Sequence, residues 1–82
     1  MHIVCAIRDI KTDTFGPPMT VPHAAIALRA FKDACNGKGN DRTLADHPED
    51  FELYQLAHYD DSCGEFCPDK KQIAVGDNMK GL

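Results

Sequence analysis

One segment constrains the fold more than any other. His23–Cys35, HAAIALRAFKDAC, is the only long stretch rich in helix formers, and it lies between Pro22 and Asn36-Gly37. Proline suits the first turn of a helix, where a missing N–H leaves no carbonyl unpaired, and an Asn-Gly pair suits the C-terminal cap. Ala24, Ala27, Leu28, Phe31 and Cys35 recur at helical spacing on one face, while Arg29, Lys32 and Asp33 point elsewhere. A lone amphipathic helix has a single apolar stripe and must bury it on something else. The sequence on either side supplies strands.

His2–Ile10 alternates loosely, with Ile3, Cys5 and Ile7 on one side and Val4 and Ala6 on the other, and reads as a central strand. Asp9–Phe15 is polar and turn-rich. Gly16-Pro17-Pro18 then precedes Met19-Thr20-Val21, which predicts a hairpin with an irregular return arm at a sheet edge, since proline donates no ladder hydrogen bond. Gly37–Asp50 reads as a long irregular connection from which Leu44 tucks inward. Phe51–Tyr59 is the second strong strand, with Phe51, Leu53 and Ala57 opposite Tyr54 and Leu56. Asp60–Gly64 has hairpin-loop residues, Glu65-Phe66-Cys67 begins the return strand, and Gln72–Val75 reads as a short edge strand. The expected fold is α+β: a small antiparallel sheet with one main helix packed on one face, order β-β-α-β-β. It forms a single domain over residues 1–76, and 77–82 are expected as a flexible C-terminal tail. The helix covers one sheet face only. A second copy is the simplest cover for Tyr54, Leu56 and Phe66 on the other, so a homo-oligomer, with a dimer favoured, is expected.

A chain of 82 residues buries only about 60 to 65% of its unfolded surface, so a metal, a disulfide or a partner would add needed stability. The net charge of -4 argues against a protein that coats nucleic acid with its whole surface. That average hides a segregation. Residues 1–45 sum to +2, residues 46–69 carry eight acids and no Lys or Arg, and residues 70–82 return to +2. Faces of opposite sign can steer a partner. The start has no basic leader followed by an apolar run, so residence in the cytoplasm is expected. There Cys5, Cys35, Cys63 and Cys67 are expected as free thiols. No stretch approaches the length of a membrane span.

Three kinds of chemistry are available to these residues. Cys63 and Cys67 flank a turn, and His58 and His47 are the companions they would need for zinc, but no second closely spaced pair completes a half-site, so no cofactor is expected. A Cys63–His58 nucleophile is disfavoured by Asp60, Asp61 and Glu65, because a thiolate needs electropositive surroundings. With no phosphate loop, triad signature or His-Glu-x-x-His, the sequence points away from an enzyme. For nucleic acid, Arg29 and Lys32 share the outer side of the helix, and Arg8, Lys38 and Arg42 would extend a patch. Tyr54, Tyr59 and Phe66 would stack bases if their face were open. A basic protein partner would instead meet Glu49, Asp50, Tyr54, Asp60 and Asp61.

Three segments in order complete the picture: Ala27-Leu28-Arg29-Ala30-Phe31, then His47-Pro48-Glu49-Asp50-Phe51-Glu52-Leu53-Tyr54, then Tyr59-Asp60-Asp61-Ser62-Cys63-Gly64-Glu65-Phe66. Together they resemble the small nonstructural protein of gokushoviruses, a branch of the Microviridae, over residues 1 to about 76. The resemblance implies a phage accessory protein acting in single-stranded DNA replication and packaging, with phage replication or capsid proteins as partners. It implies residence in the host bacterial cytoplasm and absence from the mature virion. Cys63 and Cys67 stand where the resemblance does not call for cysteine. Three readings stay open: single-stranded DNA binding, a protein adaptor or self-assembling module linking the replication complex to the procapsid, and a zinc-stabilised module.

Overall fold

The alternating segments form one antiparallel sheet, and the alanine-rich segment forms the helix across it. The computed structural model of the chain describes residues 1–39 and 42–82; Asn40 and Asp41, within the expected irregular connection, lie outside the described residues. Strand β1 (His2–Asp9) is central. One of its edges pairs with β2 (Thr14–Phe15) through Arg8 and Asp9, and with β3 (Met19–Val21) through Ile3, Val4 and Cys5. The return arm is therefore two short strands interrupted at Gly16-Pro17-Pro18, as the prolines predict. The other edge of β1 pairs with β4 (Phe51–Asp60), which in turn pairs with β5 (Glu65–Val75). The molecule measures 40 × 23 × 19 Å.

Helix α1 (Ala24–Cys35) buries Ala27, Phe31 and Cys35 against Cys5, Leu53, Phe51 and Ala74 of the sheet, with Leu28 half-buried beside them. Its predicted stripe and its cap are both present. The Asn36 side chain donates to the Lys32 carbonyl at 2.9 Å, and Gly37, at φ +84°, takes the left-handed conformation that ends the helix. This layer arrangement is the α+β fold expected from the sequence, with a single main helix on one face.

Four particulars differ from the expectations. The connection before Phe51 contains α2 (Arg42–Asp46) and a 3-10 turn at Pro48–Asp50, because Leu44, Ala45 and Pro48 all bury their side chains and so order the segment. Strand β5 is continuous through Pro68, which an edge strand tolerates. The domain continues past residue 76 into α3 (Gly76–Met79). Beyond it, Lys80 Nζ donates to the Ala45 carbonyl at 2.8 Å and the Gly81 N–H donates to Asn36 Oδ1 at 2.6 Å.

The fourth difference concerns which way β4 faces. Cys5 pairs with Gln55 and the next residue back, Val4, pairs with Ala57, so Leu56 is an extra residue in β4. A bulge of this kind shifts the alternation by one. Phe51, Leu53 and Gln55 face the helix before it, whereas His58, paired with Ile3, faces the helix after it. Ala57 pairs with Val4 and lies on the opposite face, not beside Phe51 and Leu53 as strict alternation predicts.

Candidate functional site

The bulge has a chemical result: Tyr54 and Tyr59, five residues apart, share the face turned away from α1. In a regular strand an odd separation would put them on opposite faces. The register places His2, Val4, Ala6 and Arg8 of β1 on this open face, with Glu52, Tyr54, Ala57 and Tyr59 of β4 beside them. Phe15 joins through its pairing with Arg8, and Phe66 through its pairing with Tyr59.

Two aromatic pairs result. Phe15 and Tyr54 meet edge to face, with centroids 5.4 Å apart and planes at 80°. Tyr59 and Phe66 lie tilted, with centroids 5.0 Å apart. Phe15 is 37% exposed and Phe66 64%, values that leave ring surface free for a ligand. Lys70 Nζ stands 5.0 Å from the centroid of Phe15 and 5.8 Å from that of Tyr54, an attraction of a cation to two ring faces. Val4, Ala6 and Ala57 make a floor of small, buried side chains between the pairs.

The charge on this face is nearly balanced. Arg8 donates to Glu52 Oε1 at 2.9 Å and to Asp13, and these two carboxylates raise the guanidinium pKa further. Lys70, by contrast, has no carboxylate within ion-pair distance among the described residues, so its charge is available to a ligand.

On the helix side of the same hairpin, the buried Gln55 side chain donates to the Asp69 backbone carbonyl at 3.2 Å and to Asp69 Oδ2 at 3.0 Å. His58 Nε2 lies 3.0 Å from the same carboxylate oxygen. A buried amide is costly without partners, and Asp69 satisfies this one. At the hairpin tip, Asp60 accepts from the Ser62 hydroxyl at 2.6 Å and from the Ser62 N–H at 3.0 Å; these bonds, the hydroxyl first, hold its carboxyl below the usual range. Asp61 sits 3.6 Å from the terminal ammonium of Met1.

The basic candidates do not form one groove. Arg8 lies on the open face, whereas Arg29 and Lys32 lie on α1, across the sheet from it. Lys38 follows the helix cap, and Arg42 is 3.6 Å from Asp46 one turn along α2. The acidic candidates also separate: Glu49 and Asp50 precede β4, Tyr54 is within it, and Asp60 and Asp61 lie at its far end. Ten residues of strand span roughly 33 Å, so the two acidic pairs stand at opposite ends of β4. His58 and Cys67 are cross-strand neighbours and Cys63 is in the adjoining turn, but His47 is at the other end of β4. Among the described residues, the one group of three such side chains with ligand atoms within 4.8 Å is His47, Glu49 and Asp50, a different set.

Phe15 and Lys70 are the members of the open face that sequence reasoning missed. Phe15 sits in a turn-rich stretch and Lys70 in a charged one. Aligning the first hairpin so that Phe15 opposes Arg8 would have found the former. No helix is long and apolar enough to cross a membrane among the described residues.

The sequence model of one protein family, described as Phage ORF5 protein, matches residues 2–80. No curated protein and no solved structure matches the chain.

Proposed function

We propose that this chain, which belongs to the Phage ORF5 protein family, is a nonstructural accessory protein that binds single-stranded DNA on the open face of its sheet. In this reading it serves a single-stranded DNA phage of the gokushovirus branch of the Microviridae. It acts in viral DNA replication and packaging in the host cytoplasm, it is not an enzyme, and it is absent from the mature virion.

The observation that supports this reading most directly is the pair of exposed aromatic clusters, Phe15–Tyr54 and Tyr59–Phe66, on one uncovered sheet face with Lys70 beside them. Stacking of a base on an aromatic ring contributes about 1 to 3 kcal/mol and accepts any base. The balanced charge of the face makes stacking, not phosphate attraction, the larger part of the affinity. Duplex DNA hides its base faces and is disfavoured by the same surface.

Titration of fluorescently labelled oligo(dT) tests it by anisotropy. Saturable binding is expected, with a log–log salt slope of about -0.7, since Lys70 supplies one phosphate contact and each such contact to a single strand contributes about that much. The reading fails if no binding is seen through about 100 μM protein, the weak end of nonspecific DNA affinity. It also fails if binding is lost with Arg29→Ala and Lys32→Ala while Tyr54→Ala and Phe66→Ala leave it unchanged.

The adaptor reading draws on a separate observation. Asp60, Asp61 and Glu65 are gathered at the hairpin tip, with Asp61 next to the N-terminus. Such a tip would meet a basic patch on a replication or capsid protein. Co-purification from infected cells that disappears with Asp61→Asn and Glu65→Gln would favour it.

A further inference from the structure

The two aromatic pairs are held apart by a fixed length of strand, and that length sets how much DNA the face can engage. Across β1 and β4 the open face is laid out in successive rows: Arg8 with Glu52, Ala6 with Tyr54, Val4 with Ala57, and His2 with Tyr59. From the Tyr54 row to the Tyr59 row is four residues of β1, or about 13 Å at 3.3 to 3.4 Å per residue. Phe15 extends the first row's neighbourhood and Phe66 completes the last. The intervening row offers only Val4 and Ala57, both small and buried.

An unstacked, extended strand advances about 7 Å per nucleotide, twice the 3.4 Å of a stacked strand in duplex DNA. Thirteen ångströms is therefore two nucleotide steps. Resting on the single-strand reading above, we infer that the open face binds three consecutive nucleotides. The outer bases stack on Phe15–Tyr54 and on Tyr59–Phe66, and the middle nucleotide bridges the Val4–Ala57 row between them without a stacking partner. Lys70, at the Phe15–Tyr54 end, gives its charge to the phosphate between the middle base and the base stacked at that end. A dinucleotide reaches one aromatic pair at a time. A trinucleotide reaches both, and only it gains from their joint presence.

A length series of labelled thymidine oligonucleotides, titrated against the intact protein and against Phe66→Ala and Tyr54→Ala, tests the footprint. Both residues are on the open face away from the helix-packed core, and urea titration checks that each variant is folded. The expected result is a step in affinity between the dinucleotide and the trinucleotide of about ten-fold, the equivalent of one stacked base. Either substitution should abolish that step while leaving dinucleotide binding within about two-fold, because one pair remains. Affinity that climbs smoothly with length, with no step at three, overturns the footprint while the single-strand reading survives. Absence of binding at any length removes both. A dimer in sedimentation that Phe66→Ala dissociates also removes both, since a second copy then occupies the face.

Discussion

Gly76→Ala should destabilise the protein, against what helix propensity alone demands. Gly76 opens α3, where alanine would ordinarily gain about 0.5 to 1 kcal/mol over glycine. Its backbone needs no left-handed conformation, so conformational strain does not enter. What stands in the way is the 3-10 turn: a Cβ at this position would lie 2.0 Å from the Pro48 carbonyl oxygen, 2.9 Å from its carbon and 3.1 Å from the Phe51 oxygen. Reaching even 3.0 Å requires α3 and the turn to part by about 1 Å, and all three atoms belong to backbone that no rotamer change can move aside. Overpacking of this kind costs about 1 to 3 kcal/mol. An approach of 2.0 Å onto backbone belongs in the upper half of that range, about 2 to 3 kcal/mol. Less a propensity gain of up to about 1 kcal/mol, this leaves a net loss of at least about 1 to 2 kcal/mol. Stability for 82 residues is about 4 to 12 kcal/mol in total, so the loss is measurable without unfolding the chain. With a urea m-value near 1 kcal/mol/M, the midpoint should fall by about 1 to 2 M. Asn78→Ala, exposed in the same helix, is the control and should shift the midpoint slightly upward. A Gly76→Ala midpoint equal to or above wild type would refute the close approach of α3 to the turn.

Phe31→Ala empties the position where α1 meets the sheet and should cost about 3 to 5 kcal/mol by urea titration; a loss below about 1 kcal/mol would mean the helix does not pack there. Cys63 and Cys67 are exposed, whereas burial raises the thiol pKa of Cys5 and of Cys35, the latter opposed by Lys80. An aromatic disulfide reagent at neutral pH should therefore titrate two thiols at once and the other two only as the protein unfolds; a faster third thiol would contradict the packing. Asp60 has a lowered pKa, so its stabilisation of the turn is complete above the ordinary carboxylate range and is lost as pH falls through the lowered value. Ser62→Ala should move the Asp60 carboxyl titration, followed by NMR, upward toward that ordinary range; an unchanged titration would refute the bond.

Much of the fold was legible because its signals are local. The stripe Ala27–Phe31–Cys35, the Asn36-Gly37 cap and the Asp60–Gly64 turn are each written within a few neighbouring residues. The connection before Phe51 was less legible. Its polar composition reads as irregular, and only the burial of Leu44, Ala45 and Pro48 against the rest of the chain orders α2 and the 3-10 turn. The candidate basic groove failed for a related reason. Helix spacing places Arg29 and Lys32 together, but it says nothing about Arg8, which belongs to the other face of a sheet whose register is set by long-range pairing.

Local patterning was enough to predict one helix across one face of an antiparallel sheet, with aromatic side chains left for the other. Periodicity and turn chemistry need no distant partner. Which residues share that open face depends on strand pairing over long range. The extra residue at Leu56 shifts the alternation of β4, so Tyr54 and Tyr59 come together and His58 turns toward the helix and Asp69. A bulge exists only relative to the strand it pairs with, here β1, just over fifty residues earlier in the chain. With the β1–β2 and β4–β5 pairings, that pairing brings Phe15 and Lys70 beside Tyr54, and so turns scattered aromatics and one charge into a surface.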